Sequence, residues 1–267
     1  MSKWLNAVGL LVALGLLLGG DYDYGYGSHK HGGNKPASPP AAPAAAAYTG
    51  QPQTLTGWLT GANCFTTGHT CTPDHVWKFH EAIGFGTPDG KFYFLASVPR
   101  DTLVSGFTKE AVVKGTFYDT ASVVQVSGLK VANGTGWDLI YGSDFSDAPT
   151  NNTDSPPKGE TAKGAVQGFQ GYISGVECVF MGGKCAPDHI WSKGEYSGLV
   201  TDDGKFINLI GLPENFVPAN FTKAFYMHGI YYPAFNTLLV HHVAKSADGD
   251  PIWKNDEVLK MAGDMHM

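Results

Sequence analysis

A chain of 267 residues, 43% hydrophobic and 16% charged, can form two ordinary domains or one large one with packed cores. Its formal net charge is −6 and it has no run of Lys or Arg, which argues against nucleic-acid binding, since that leans on phosphate neutralisation. The 35 Gly and 16 Pro predict many turns, and so short strands rather than long helices.

Residues 1–20, "MSKWLNAVGLLVALGLLLGG", carry one Lys and then an apolar run from Val8 to Leu18. The run is short for a membrane span and suits a signal-peptide core. Gly20 is small enough for cleavage, but Leu18 sits where a small residue is preferred, so a retained signal anchor is the alternative. The expectation is export to the periplasm or extracellular space, where four cysteines meet oxidising conditions. Residues 21–52 are Gly/Tyr/His-rich and then Pro/Ala-rich, without a periodic apolar face, and read as a disordered tether. His29 and His31 fall in it as "SHKHGG", a solvated tail before a metal motif.

The rest of the chain contains an internal repeat. "GWLTGANCFTTGHTCTPDHVW" from Gly57 and "GYISGVECVFMGGKCAPDHIW" from Gly171 align without a gap at an offset of 114 residues. Both copies keep two Cys, Pro-Asp-His, a Trp, a Glu (Glu81 and Glu195), Asp-Gly-Lys-Phe and Phe-Thr-Lys. The expected organisation is repeat one at 53–132, arm and linker at 133–164, repeat two at 165–245, and a C-terminal helix and tail at 246–267.

Each repeat shows five strand-sized runs: "TLTGWLTGAN", a run over 79–87, "KFYFLASV", "EAVVKGTFYD" and "SVVQVSGLKV" in the first copy. "PRDTLVSGFTK" lies between the third and fourth as an irregular or helical insert. That order predicts an all-β chain of two tandem five-stranded OB-like barrels, with a small open sandwich as the alternative. "GWDLIYGSDF" reads as an extra arm on the first barrel. Asp250 as cap, Pro251 at the first helical position and Gly263 as stop predict one C-terminal helix.

The pattern resembles a group of small exported bacterial domains of OB type. It is carried by Gly57 to Cys64, Cys71 to His75, "DGKFYFL" at 89–95 and "VVKGTF" at 112–117, with Gly171 to Cys178, Cys185 to His189, "DGKFINL" and "MHGIYY" in the second copy. The resemblance implies architecture and compartment more than an activity. This chain departs from the pattern in placing its second Cys before the His.

Three readings of the Cys motif stand. The first is structural: local disulfides Cys64–Cys71 and Cys178–Cys185, each stapling a small core, by about 2–3 kcal/mol in the chain-entropy model. The second is a Cu or Zn site from Cys64, Cys71 and His75, and from Cys178, Cys185 and His189, with Asp74 or Glu81 as a fourth ligand in the first copy. Met261, Met265, His266 and Met267 would add soft ligands. The third is thiolate catalysis, but each motif has two cysteines beside its His, and no "HExxH", "GxSxG" or phosphate loop is present. No "CxxCH" occurs, so covalent c-type haem is not expected.

Pro-Asp-His also has a plain structural reading, as a turn or cap with the Trp filling the core. His241 and His242 are neighbours on the last strand and are expected to point to opposite faces. Asn133, Asn151 and Asn220 open Asn-x-Thr triplets, read as chance matches to the glycosylation pattern. The expected function is non-enzymatic binding or assembly, without a cofactor, with soft-metal binding as the alternative. Its surface is expected around Trp58, His69, Asp74, His75, Trp77 and Glu81, with Asp188, His189, Trp191 and Glu195 in the second copy. The expected partner is a protein or small ligand of the envelope or extracellular space. Self-assembly, or a membrane tether if the first segment is retained, is compatible with this reading.

Overall fold

A computed structural model of the chain describes residues 48–66, 68–75, 82–145, 163–180, 185–189, 196–213 and 215–256. The expected signal, most of the tether, Trp77, Glu81, Trp191, Glu195 and the Met/His tail lie outside the described residues.

The chain is all-β. Repeat one runs β1 (Gln51–Gly61), α1 (Ala62–Thr66), β2 (Ile83–Gly86), β3 (Phe92–Ala96), α2 (Arg100–Gly106), β4 (Glu110–Tyr118), β5 (Val123–Ala132) and β6 (Trp137–Gly142). Repeat two follows the same order: β7 (Ala165–Gly175), α3 (Val176–Phe180), β8 (Ser197–Thr201), β9 (Phe206–Ile210), α4 (Phe216–Ala219), β10 (Ala224–Tyr232), β11 (Thr237–Ala244) and β12 (Trp253–Lys254). In the first sheet the order β3-β2-β1-β4-β5 closes on itself through a parallel β3–β5 pairing, and β6 adds to β5. The second closes in the same way through β9–β11, and β12 adds to β11.

Two expectations change at the edges. The segment "DPIWK" does not start a helix: Trp253 and Lys254 pair with Val243 and His242 as strand β12, and helical geometry first shows at Asp256. Ladder partners on β11 outweigh the cap signal of Asp250 and Pro251. The tether ends earlier than expected, because β1 already begins at Gln51. Tyr48 packs on Phe180 at 4.6 Å between ring centres, and its hydroxyl accepts the Phe206 N–H at 2.5 Å.

Several kept motifs are backbone devices. In Asp-Gly-Lys the glycine sits at φ +82° (Gly90) and +84° (Gly204), and the preceding Thr87 and Thr201 hydroxyls bond to Asp89 and Asp203. It is a turn motif. In Phe-Thr-Lys, Thr108 and Thr222 both adopt φ +66°. That uncommon conformation lets the Thr108 N–H reach Leu59 O at 2.8 Å and the Leu59 N–H reach Lys109 O at 3.0 Å. The second copy repeats both bonds with Ile173, at 2.9 and 3.0 Å. Gly57 and Gly171 sit where β1 and β7 cross their neighbours, and a Cβ there would lie 2.2 Å from the Gly86 or Val200 carbonyl oxygen.

The third strand explains how the repeats join. "FYFLA" is buried along its whole length, which requires cover on both faces. Tyr93 and Leu95 point into the first barrel with Leu59, Phe85, Val113 and Phe117. Phe92, Phe94 and Ala96 point the other way, into a core shared with Val176, Val179, Phe206, Ile210 and Phe235 of the second repeat. In β9, Phe206 and Ile210 face this shared core, and Ile207 faces the second barrel. The two repeats therefore meet through the same elements, as identical subunits do across an isologous interface. Phe235 packs edge-on to Phe65 and Phe92 at 5.3 and 6.5 Å, and Phe94 stacks on Tyr196 at 5.3 Å.

The equivalence is broken at Asn208, which stands where the first copy has Phe94. It is fully buried, and its Nδ2 donates to Ala121 O at 2.7 Å and to Asn236 O at 3.1 Å. Removing a buried donor leaves its acceptors short of a partner, so Asn208→Ala is expected to destabilise the chain by about 1–3 kcal/mol. Thermal unfolding reads this directly, and an unchanged melting temperature would contradict it.

Candidate functional site

The Cys motif lies between β1 and β2, and between β7 and β8. Each strand leads into one short helical turn that carries the first Cys. Cys64–Cys71 and Cys178–Cys185 are disulfides with Cα separations of 5.6 and 5.5 Å. Such bonds are more typical of exported proteins. No helix among the described residues is long and apolar enough to cross a membrane.

The second Cys of each pair is held by the end of the first strand. The Gly61 N–H donates to Cys71 Sγ at 3.3 Å and the Gly175 N–H to Cys185 Sγ at 3.2 Å. The Pro-Asp-His segment is a turn: the His75 N–H returns to Thr72 O at 3.0 Å and the His189 N–H to Ala186 O at 3.1 Å. That turn sets each ring against a sulfur, with His75 Nδ1 3.1 Å from Cys64 Sγ and His189 Nδ1 3.2 Å from Cys178 Sγ. Both sets bring two sulfurs and an imidazole within 4.8 Å of one another, a grouping that could hold a metal ion if the thiols were reduced.

Of the other expected surface residues, His69, Asp74 and Asp188 are exposed, and His75 and His189 half-buried. Asp74 accepts from the Thr72 hydroxyl. Trp58 is half-buried on β1 beside Glu110 of β4, with its indole Nε1 buried and unbonded. Burial raises the Glu110 carboxyl above its ordinary pKa.

A third cluster differs from the sequence expectation. His241 and His242 do not point apart: their Nδ1 atoms are 3.2 Å from each other. The cause is a β-bulge. His228 pairs with His242 and Gly229 with Val240, so His241 is an extra residue in β11. A bulge breaks the two-residue alternation and re-aims the side chain. Gly229 allows it, since a Cβ there would lie 2.0 Å from the Leu239 carbonyl oxygen. His228, on β10, stacks on His242 at 4.9 Å between ring centres and lies 5.9 Å from His241.

His228 was not singled out by sequence. A bulge signal was present: both copies keep a Gly on the fourth strand, Gly115 and Gly229, and the residue before it is Lys114 in one copy and His228 in the other. Burial, and then the neighbouring His241, hold the His228 ring below the usual imidazole pKa. Burial and then His228, His241 and Lys254 do the same for His242.

Two stapled loops on closed strand rings, plus an imidazole cluster in one copy, define a double-barrel protein with Cys/His-bearing loops. Comparison with protein-family models, characterised proteins and solved structures finds no match for this chain.

Proposed function

We propose that the chain is an exported, non-enzymatic binding protein built from two OB-type barrels, fused through their shared core and contacting a protein or small ligand through the Cys-stapled loops. The observation that carries this is the placement of the disulfides. The strand order, with a parallel closure between third and fifth strands, supports an OB-type reading, and OB barrels bind along one sheet face and with the loop after the first strand. Here that loop is pinned in both copies by a disulfide and an Asp-His turn, which lowers the cost of ordering it on binding. The apolar run at Val8 to Leu18 and the two disulfides support export.

A photo-crosslinking residue placed at His69 tests this in cells expressing the full chain. The account expects envelope or extracellular adducts from position 69 and none from a control at Thr135, on the exposed β5–β6 turn. No adducts at position 69, or equal adducts at both positions, would contradict it.

A second reading is favoured by the placement of His75 and His189 against sulfur. If the disulfides open, each motif becomes a Cys2His set for Cu or Zn. That reading needs stoichiometric metal in the purified protein, lost on substitution of His75 and His189.

A further inference from the structure

We propose that His228, His241 and His242 form a binding site for a borderline divalent transition-metal ion, of the Zn(II) or Cu(II) class, present in the second repeat and absent from the first.

The geometry is that of a ligand set. The three imidazoles offer nitrogens within 4.8 Å of one another. Two nitrogens bound tetrahedrally to one zinc at the usual bond length lie about 3.3 Å apart. The Nδ1 atoms of His241 and His242 are 3.2 Å apart.

His241 is only 5% exposed. His228 Nδ1 is buried and unbonded. Buried polar atoms without partners are uncommon in native proteins and call for a ligand or another explanation. The far side of His241 faces a carboxylate, with Asp256 Oδ1 3.6 Å from Nε2. A carboxylate behind a ligating imidazole orients the ring and raises its basicity. Asp256 is in turn held by Lys254 Nζ at 2.7 Å. Imidazole ligands with no thiolate suit Zn(II), Cu(II) or Ni(II) rather than Cu(I) or an alkaline-earth ion.

The sister repeat serves as an internal control. It has the same bulge, between Lys114 and Gly115, with Ser127 as its extra residue. Lys114, Ser127 and Gly128 occupy the positions of His228, His241 and His242. There Phe145 covers the place: a Cβ on Gly128 would lie 2.7 Å from its ring, and Lys114 and Lys130 sit over that ring at 5.8 and 4.5 Å. One copy fills the bulge with a cation and an aromatic ring, and the other converges three imidazoles on it. The same backbone bulge thus carries different side chains in the two copies, which makes Lys and Ser the natural replacements for His228 and His241.

The test uses the full chain with its disulfides closed, stripped with chelator and titrated with Zn(II) against a chromogenic competitor. Co(II) serves as the spectroscopic probe. One zinc equivalent is expected, with Co(II) d–d bands and no thiolate charge-transfer band. His228→Lys with His241→Ser, the residues of the sister repeat, should remove that equivalent while thermal unfolding stays cooperative. His75→Ala with His189→Ala should leave it in place. Asp256→Asn, outside the strands, should weaken binding about tenfold, and it keeps the test valid if the double variant does not fold. Unchanged zinc binding in the double variant, or in Asp256→Asn if only that variant folds, would overturn the proposal. So would a thiolate band on the wild-type protein that disappears with His75 and His189. Unchanged zinc binding in the variants would leave the Cys-loop account of binding standing, whereas a thiolate band would contradict its closed disulfides as well.

Discussion

Phe92→Ala and Phe235→Ala are each expected to destabilise the entire chain by about 3–5 kcal/mol, the usual cost of emptying a large aromatic site in a core. Phe92 belongs to repeat one and Phe235 to repeat two; they are 2% and 5% exposed and lie in the same shared core. At about 2–4 °C per kcal/mol for a protein of this size, either change lowers the melting temperature by roughly 10 °C. The form of the transition matters as much as its position. A core shared between repeats couples their unfolding, so calorimetry should show one transition in the wild type and one in each variant. If Phe92→Ala instead moved one of two resolved transitions and left the other in place, the repeats would be independent domains, and the shared core would contribute little.

The second large effect concerns the staples. Replacing Cys64 and Cys71 together by Ser should cost about 2–3 kcal/mol, the chain-entropy value for so short a loop. The same change at Cys178 and Cys185 should cost about as much, because the closed loops have the same length: both pairs are separated by 7 positions. The first strands end in N–H groups that donate to Cys71 and Cys185 sulfur, and these bonds go with the staple. Chemical denaturation with and without reductant measures the sum. Stability that did not change on reduction would mean that the Cys loops are held by other contacts and that their oxidised form is incidental.

Much of this architecture was legible in the sequence, for identifiable reasons. The offset between Cys64 and Cys178 established the duplication. The turns at Asp89 and Asp203, the insert at Arg100–Gly106 and the arm beginning at Trp137 all fall where turn residues and apolar runs placed them. The local pairing of cysteines followed from each copy carrying its own two.

Other features escaped because they depend on partners distant in sequence. "FYFLA" reads as a strand, but its unbroken apolar run also signals cover on both faces, and only the fold shows that the sister repeat supplies one of them. The segment from Asp250 had good helix-start chemistry and became strand β12, because β11 offered an open edge. At His241 and His242 the two-residue alternation of strands gave the wrong answer. One inserted residue moves both rings to one place, and the only local trace of it is the glycine at position 229 opposite.

The central claim is that this is an exported protein whose Cys loops are closed, pre-ordered binding elements. It is tested most directly by collecting the protein from outside the cytoplasm, alkylating it without reduction and mapping its cysteine peptides by mass spectrometry. The account predicts that Cys64 is linked to Cys71 and Cys178 to Cys185, with no alkylated thiol. Four freely alkylated cysteines, or cysteines that alkylate only after a chelator, would contradict it and make the Cys2His metal reading the working one.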